Sequence, residues 1–267
     1  MKWVVVVCFL CLPFSAHGWD REAFHISSSA KFSLGLDWRY FWISGEMLVP
    51  AGGQLGSGST VDIASDLGLD QGDGTCITLE GVIKDNHLIA GDFLMSLPSS
   101  VAKPRKTFRF HNRTYQEGIP IEAKVDVNWL RLSYGYRMGG TDSWFWAPRL
   151  GVHYVRCGAF INGETREEGI TANMRALDAT YPVVGIATHL FLPYGIHFSL
   201  ETEGVHLLNT GFLGMASVTT RWEIHPDVTF TMSIGTRFVA RSEDHQPLNN
   251  QWLLGLTGGA AGVSFGF

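Results

Sequence analysis

The sequence predicts an all-β fold: a transmembrane antiparallel up-and-down β-barrel of about ten strands, with eight or twelve strands as alternatives. Three observations support this prediction. Apolar and polar residues alternate with a period of two along most of the chain, aromatic residues cluster at the ends of the alternating segments, and short turns alternate with longer connections. No segment after the N-terminal region is apolar over the roughly 20 residues that a transmembrane helix needs.

The composition excludes several classes of protein. Of the 267 residues, 45% are hydrophobic and 17% are charged. A charged fraction this low argues against a disordered chain and against a coiled coil. The formal net charge is −5, whereas nucleic-acid-binding domains are usually basic. We therefore expect no nucleic-acid partner.

Residues 1–18 are predicted to be a signal peptide. A positively charged start precedes an apolar run from Trp3 to Leu12, and Gly18 ends a short stretch with small residues at the positions that a signal peptidase reads. This apolar run is too short to cross a bilayer as a helix. The chain therefore divides into a signal peptide, 1–18, and one barrel domain, 19–267.

Alternation in the first strand separates an apolar face from a small or charged face. The apolar face carries Phe32, Leu34, Leu36, Trp38, Tyr40 and Trp42. The opposite face carries Lys31, Ser33, Gly35, Asp37 and Arg39. The same reading predicts ten strands, at 30–45, 75–84, 87–97, 119–137, 143–161, 174–191, 195–207, 212–223, 228–241 and 251–267.

Three local features interrupt this regularity. The apolar residues of the fourth predicted strand change from odd to even positions, which predicts a β-bulge near Asn128-Trp129. Pro148 lacks a backbone N–H, so it predicts a second bulge or a strand boundary. The segment from Thr165 to Ala179 has weak helical periodicity and is the one candidate for a short helix.

Alternation alone does not distinguish a membrane barrel from a soluble sandwich. In a sandwich the apolar face forms the core, whereas in a membrane barrel it contacts lipid and the polar face lines the interior. Aromatic clusters at strand ends, strands of about 10 residues or more, and the alternation of short and long connections all favour the barrel. A soluble periplasmic sandwich remains a further alternative.

The C-terminal residues carry a family resemblance. Val263, Phe265 and Phe267 place apolar or aromatic residues at alternate positions up to the last residue. This ending resembles that of bacterial outer-membrane β-barrel proteins. The resemblance implies a location in the outer membrane of a Gram-negative bacterium, contact with lipid and lipopolysaccharide, and recognition of the last strand by the barrel assembly machinery.

The interior face of the predicted barrel gathers charges of both signs. We predict a lumen charge network of Asp37, Arg39, Glu80, Asp92, Lys124, Asp126, Arg131, Arg137, Arg149, His153, Glu201, Glu203 and Arg237. Barrels of about eight strands are filled by their own side chains, whereas open channels need about 16 strands. We therefore interpret the network as a salt-bridged plug rather than a water-filled pathway.

The sequence offers two weak candidates for catalysis. Asp244 and His245 are adjacent in one predicted loop and lack the preorganisation that general-base catalysis needs. His197 and Ser199 share a face with Glu201, but residues two apart on a strand are about 7 Å apart, too far for a direct relay. We assign no catalytic residue, and the sequence predicts no metal site and no cofactor.

We expect a small integral outer-membrane barrel with a structural or surface-interaction role and no catalytic activity. One alternative is a narrow porin-like channel for small solutes. Another is an outer-membrane protease or lipid-modifying enzyme. Cys76 and Cys157 lie on predicted strands that are not neighbours, so we expect free thiols.

Overall fold

The computed structural model describes residues 31–49, 59–83, 86–110, 113–165, 169–207, 211–242 and 251–267. The predicted signal peptide and the residues Asp244 and His245 lie outside these ranges. Within them the chain forms fourteen β-strands and no helix. The strands are β1 (Lys31–Val49), β2 (Ser59–Asp62), β3 (Gln71–Ile83), β4 (His87–Ser96), β5 (Ser99–Ala102), β6 (Phe108–Phe110), β7 (Arg113–Tyr115), β8 (Ile121–Tyr136), β9 (Trp144–Thr165), β10 (Gly169–Leu192), β11 (Ile196–Leu207), β12 (Gly211–His225), β13 (Val228–Ser242) and β14 (Gln251–Gly266).

Ten long strands close into an antiparallel barrel. β1 pairs with β3 on one side and with β14 on the other. The ring continues from β3 through β4, β8, β9, β10, β11, β12 and β13 to β14. The predicted fold class and the count of ten strands are therefore confirmed.

The prediction of a short helix from Thr165 to Ala179 is wrong. Residues from Gly169 onward belong to β10, which pairs with β9 without interruption from Gly169 to Leu190. A continuous ladder of inter-strand hydrogen bonds outweighs a weak helical preference.

The two ends of the barrel differ, and we call them the turn end and the loop end. The turn end holds the short connections and the first and last described residues. There Phe32 N–H donates to the Phe267 carbonyl at 3.2 Å, and Phe267 N–H donates to the Phe32 carbonyl at 2.9 Å. Their rings stack with centroids 6.3 Å apart, so the last residue closes the seam between β1 and β14.

Strand β8 shows that the barrel reverses its polarity along its length. Burial alternates without a break from Ile121 to Tyr136, with every odd residue pointing inward. Towards the loop end the inward residues are apolar, such as Val125, and the outward residues are polar, such as Lys124. Towards the turn end Arg131 points inward and Leu132 points outward.

The predicted β-bulge near Asn128-Trp129 is therefore wrong. The register between β8 and β9 runs without a shift from Ile121 to Gly135. The apolar residues change face because the surroundings of the strand change, not because the backbone slips.

The same reversal divides the whole barrel into two halves. In the membrane half, next to the turn end, apolar side chains face outward; Leu36, Leu132, Leu150 and Ile234 are 59%, 56%, 63% and 63% exposed. In the loop half the inward side chains form one large apolar core that includes Val125, Val127, Trp129, Val155, Ile161, Val239 and Leu254. The loop half is thus built like a soluble barrel, and the membrane half has the opposite arrangement.

Pro148 lies inside β9, and no bulge accompanies it. It pairs with Ile186 of β10 in a continuous register. On the other side, the ladder to β8 ends at Arg149 and resumes only as an isolated bridge between Met138 and Trp146. The missing N–H of Pro148 therefore falls in a gap of the β8 ladder.

A folded cap covers the loop end. It consists of β2, the turn at 63–67, β5 and the β6–β7 hairpin, and it comes from two connections that the sequence predicts as loops. Phe108, Phe110 and Tyr115 of the cap are 1%, 0% and 0% exposed and join the apolar core. The cap is therefore held against the barrel by buried aromatic rings.

Candidate functional site

Arg131 on β8 is the hub of a buried charge network in the membrane half. Its Nε and Nη2 atoms donate to the Glu203 carboxylate at 3.0 and 2.6 Å. Nη2 also donates to Glu201 at 2.8 Å, and Nη1 donates to Asp92 at 3.4 Å. The planar guanidinium suits this two-pronged contact with a carboxylate.

Glu203 on β11 is saturated with hydrogen bonds. Besides Arg131, it accepts from the Ser133 hydroxyl at 2.8 Å and contacts His153 Nε2 at 2.8 Å. The Trp129 indole, which can only donate, donates to His153 Nδ1 at 3.0 Å. His153 is therefore the neutral tautomer with its proton on Nε2, and it donates that proton to Glu203.

The remaining members extend the network towards both walls. Arg149 Nη2 donates to Glu201 at 3.1 Å. Arg237 Nη2 lies 2.6 Å from Asp92, and its guanidinium lies over the Trp129 ring at 5.7 Å. Charges buried to this degree are stable only when they are paired.

A second cluster lies nearer the turn end. Arg221 of β12 pairs with Glu80 and donates to Ser199 Oγ at 3.0 Å. His197 Nε2 lies 3.0 Å from His189 Nδ1, and the His197 ring stacks on Phe191 at 4.4 Å.

This cluster does not form a nucleophilic relay. Within the described residues, the Ser199 hydroxyl accepts from Arg221 and forms no hydrogen bond with His197, which a serine–histidine relay would need. The cluster also faces the barrel interior, so it is not positioned to act on lipid. Within the described ranges, no group of three or more His, Cys, Asp and Glu side chains could hold a metal ion.

The structure brings most of the predicted network together. Ten members of the predicted set point into the membrane half; eight of them are Asp37, Arg39, Glu80, Arg131, Arg149, Glu201, Glu203 and Arg237. Asp92 and His153 join them. Arg137 lies at the turn end instead, where it donates to the Thr141 carbonyl at 3.1 Å and stacks on Phe145.

The prediction that Lys124 and Asp126 belong to the lumen charge network is wrong. Both point outward from the loop half, where Lys124 pairs with Glu122 at 2.7 Å and Asp126 accepts from Asn128 at 2.7 Å. The sequence interpretation assumed one kind of surroundings along the whole strand, and this part of β8 lies outside the membrane half.

Sequence reasoning missed Arg221 and Trp129 as members of the network. Arg221 shares its face with Thr219 and Ser217, so the period of two along β12 could have identified it. Trp129 could not be identified in this way, because its contact with His153 depends on how β8 and β9 are staggered.

The loop half closes the interior above the network. Trp129 lies at the boundary, fully buried, and the apolar core fills the barrel from there to the cap within the described residues. Cys76 and Cys157 lie in this core as free thiols, which confirms the prediction for them. Burial raises the pKa of the Cys157 thiol, so it stays protonated. Among the described residues, no helix is long and apolar enough to cross a bilayer.

Comparison with known proteins identifies the fold. No protein-family model matches the chain, and no curated protein sequence matches it. The crystal structure of the outer-membrane protease OmpT of Escherichia coli superposes with a TM-score of 0.52 at 10% identity, over 88% of this chain and 97% of that one.

Two further solved structures align with lower scores. Ail of Yersinia pestis, solved with the heparin analogue sucrose octasulfate, has a TM-score of 0.35 at 8% identity, over 86% of this chain and 99% of that one. Neisserial surface protein A has a TM-score of 0.32 at 12% identity, over 88% and 96% of the two chains. The chain thus has the fold of a bacterial outer-membrane β-barrel.

Proposed function

We propose that the protein is a sealed, non-conducting outer-membrane barrel that anchors a folded cap at the cell surface. In this proposal the membrane half spans the bilayer, the turn end faces the periplasm and the loop end faces outward, the arrangement usual for short turns and long loops. The protein then has a structural or surface-interaction role, and neither a pore nor an active site is part of it.

The observation that carries this proposal is the two-layer filling of the interior. A solute that entered from the turn end would meet the Arg131–Glu203 network, whose charges are paired at 2.6 to 3.4 Å. Beyond it lies a core that, among the described residues, is formed almost entirely by apolar side chains. An ion that entered this core would lose its hydration without compensation, which costs many kcal/mol.

Single-channel recording in planar bilayers tests the seal. We expect the folded wild-type protein to produce no conductance steps, while a 16-stranded porin in the same bilayers produces them. A shift in gel mobility between boiled and unboiled samples shows that the inserted protein is folded. Reproducible unitary steps from the folded protein would contradict the proposal.

The cap presents cations to the outside in a fixed arrangement. Lys103, Arg105 and Arg109 are exposed, and Lys106 pairs with Asp66 at 3.3 Å. Because Phe108 and Phe110 flank Arg109 and are buried, Arg109 is held on a packed strand. We propose that this surface contacts the phosphate groups of lipopolysaccharide in the surrounding membrane.

Binding of the purified protein to lipopolysaccharide tests this contact. We expect the triple variant Lys103→Gln, Arg105→Gln, Arg109→Gln to bind more weakly, and added salt to reduce binding by the wild type because it screens exposed charges. Lys124→Gln is the matched control, since Lys124 is exposed on the barrel wall and already paired. Equal binding by the triple variant and the control would exclude the cap as the contact surface.

A further inference from the structure

A cavity of about 100 Å³ lies beneath the Arg131 network in the membrane half. It extends from Arg131 to Ser33 and Ser264, next to the ends of the described chain. Small residues on β12, β13 and β14 leave this space open, among them Ala216, Gly235, Gly258 and Ala260. By volume, it accommodates about three water molecules or a molecule of similar size.

Among the described residues, two oppositely charged side chains that face this cavity lack an ion-pair partner. The charged side chains of the membrane half within the described residues are five acids and five arginines: Asp37, Glu80, Asp92, Glu201 and Glu203, with Arg39, Arg131, Arg149, Arg221 and Arg237. Eight of them pair with one another. The remaining two are Asp37 and Arg39, and both line the cavity.

The burial of these groups makes their lack of partners costly. Asp37 is 5% exposed, and its carboxylate forms no ion pair within the described residues. Arg39 Nε and Arg237 Nη1 are buried donors that likewise have no partner there, and both side chains line the same cavity. A buried polar group without a partner destabilises the fold, and more so if it is charged.

The spacing of Asp37 and Arg39 and the charge balance of the network indicate which kind of ligand would pair with both side chains. Asp37 and Arg39 are two residues apart on one strand, so their backbone positions are about 7 Å apart and both side chains point inward. With all ten groups ionised the network is neutral, with five charges of each sign. A bound anion or cation would leave one buried charge uncompensated, whereas a zwitterion adds none.

We propose that this cavity binds a small zwitterion of the α-amino-acid class. The carboxylate of the ligand accepts hydrogen bonds from Arg39 Nε and Arg237 Nη1, and its ammonium group donates to the Asp37 carboxylate. The volume favours glycine or alanine over larger amino acids. Hydroxyl groups of Ser33, Thr78 and Ser233 line the rest of the space.

Isothermal titration of the folded full chain in detergent, with glycine and alanine as probes, tests the proposal. We expect saturable binding of both. Acetate and methylammonium each reproduce one half of the ligand charge, and we expect them to bind at least about tenfold more weakly, a difference of about 1.4 kcal/mol. Leucine is the control ligand, because its side chain is too large for the cavity.

Variants assign the binding to this cavity. Asp37→Asn and Arg39→Gln should each weaken glycine binding about tenfold or more, with Lys124→Gln as the exposed control. Heat-dependent gel mobility identifies the variants that fold, and Thr78→Val, which removes only a lining hydroxyl, should weaken binding less than either. No saturable glycine binding by the folded wild type would overturn the proposal, and so would unchanged binding in both charge variants.

This proposal is separable from the sealed-barrel function. A barrel that binds no glycine and passes no current keeps its proposed function. A barrel that binds glycine and conducts retains the zwitterion site and loses the sealed-barrel function.

Discussion

Arg131 of β8 and Glu203 of β11 are joined inside the barrel by two hydrogen bonds, 3.0 Å from Nε to Oε2 and 2.6 Å from Nη2 to Oε1. The residues are 72 positions apart in sequence, and β9 and β10 lie between their strands. Their side chains thus meet across the lumen, which is what makes the membrane half a filled barrel.

Removing one partner of this pair should destabilise the barrel strongly. We expect Arg131→Met to lower the free energy of unfolding by about 3–5 kcal/mol, because it leaves Glu201 and Glu203 as buried carboxylates without their main partner. Urea unfolding of the protein in lipid vesicles measures this change. Lys124→Gln, on the outer wall of the same strand, should change it by no more than about 0.5 kcal/mol. Similar values for the two variants would show that the network does not stabilise the fold.

The polarity reversal along β8 predicts opposite tolerance of charge at two positions on the same outer face. Leu132→Arg should cost about 2–4 kcal/mol, since it places a cation against acyl chains. Asn128→Arg, four residues away, should cost less than about 0.5 kcal/mol, because Asn128 faces water. The same unfolding measurement compares them. An equal cost at both positions would place Asn128 and Leu132 in the same surroundings.

Cys157 should be unreactive in the folded protein, even in alkaline solution. Because burial raises the pKa of its thiol, the thiol stays protonated at about pH 9, where an ordinary thiol with a pKa of about 8.5 is mostly thiolate. We expect iodoacetamide to label it only after unfolding, as detected by mass spectrometry. A cysteine introduced by Asp126→Cys, on the exposed wall, should be labelled in the folded protein. Labelling of Cys157 before unfolding would contradict its place in a closed core.

Phe267 should matter more for assembly in cells than for folding in detergent. In Phe267→Ala we expect the heat-modifiable band in cell membranes to fall severalfold, because we propose that the assembly machinery recognises the terminal aromatic residue. Refolding of the purified variant in detergent should be close to that of the wild type. Phe230→Ala, on the adjacent strand, is the control for loss of an outward aromatic ring. If detergent refolding of Phe267→Ala fails to the same extent, its role is structural closure of the seam with Phe32.

Sequence patterns were sufficient for the ring of long strands because lipid imposes a period of two. The run from Phe32 to Trp42 shows this most clearly, since every outward residue contacts the same solvent. The pattern failed on β8 for the same reason. At Lys124 and Asp126 the outer solvent is water, so the rule that assigns charges to the interior gives the wrong face.

Two other features could not be read from the sequence. The strands of the cap have three or four residues, and Phe108–Phe110 is too short to show a period. The partners of Arg131 depend on the stagger between strands far apart in sequence, which fixes the heights of Glu201 and Glu203 relative to β8. The inward direction of these side chains could be predicted from the sequence, but their ion-pair partners could not.

The reversed loop half has a consequence for how the chain reaches its final place. In the orientation we propose, with the loop end outside, Glu122, Lys124 and Asp126 cross the hydrocarbon layer before they reach water on the far side. During that passage their strand cannot yet hold Val125 and Val127 in a finished core. In that orientation, translocation of the strand precedes consolidation of the loop half, and the cap docks after that core has formed.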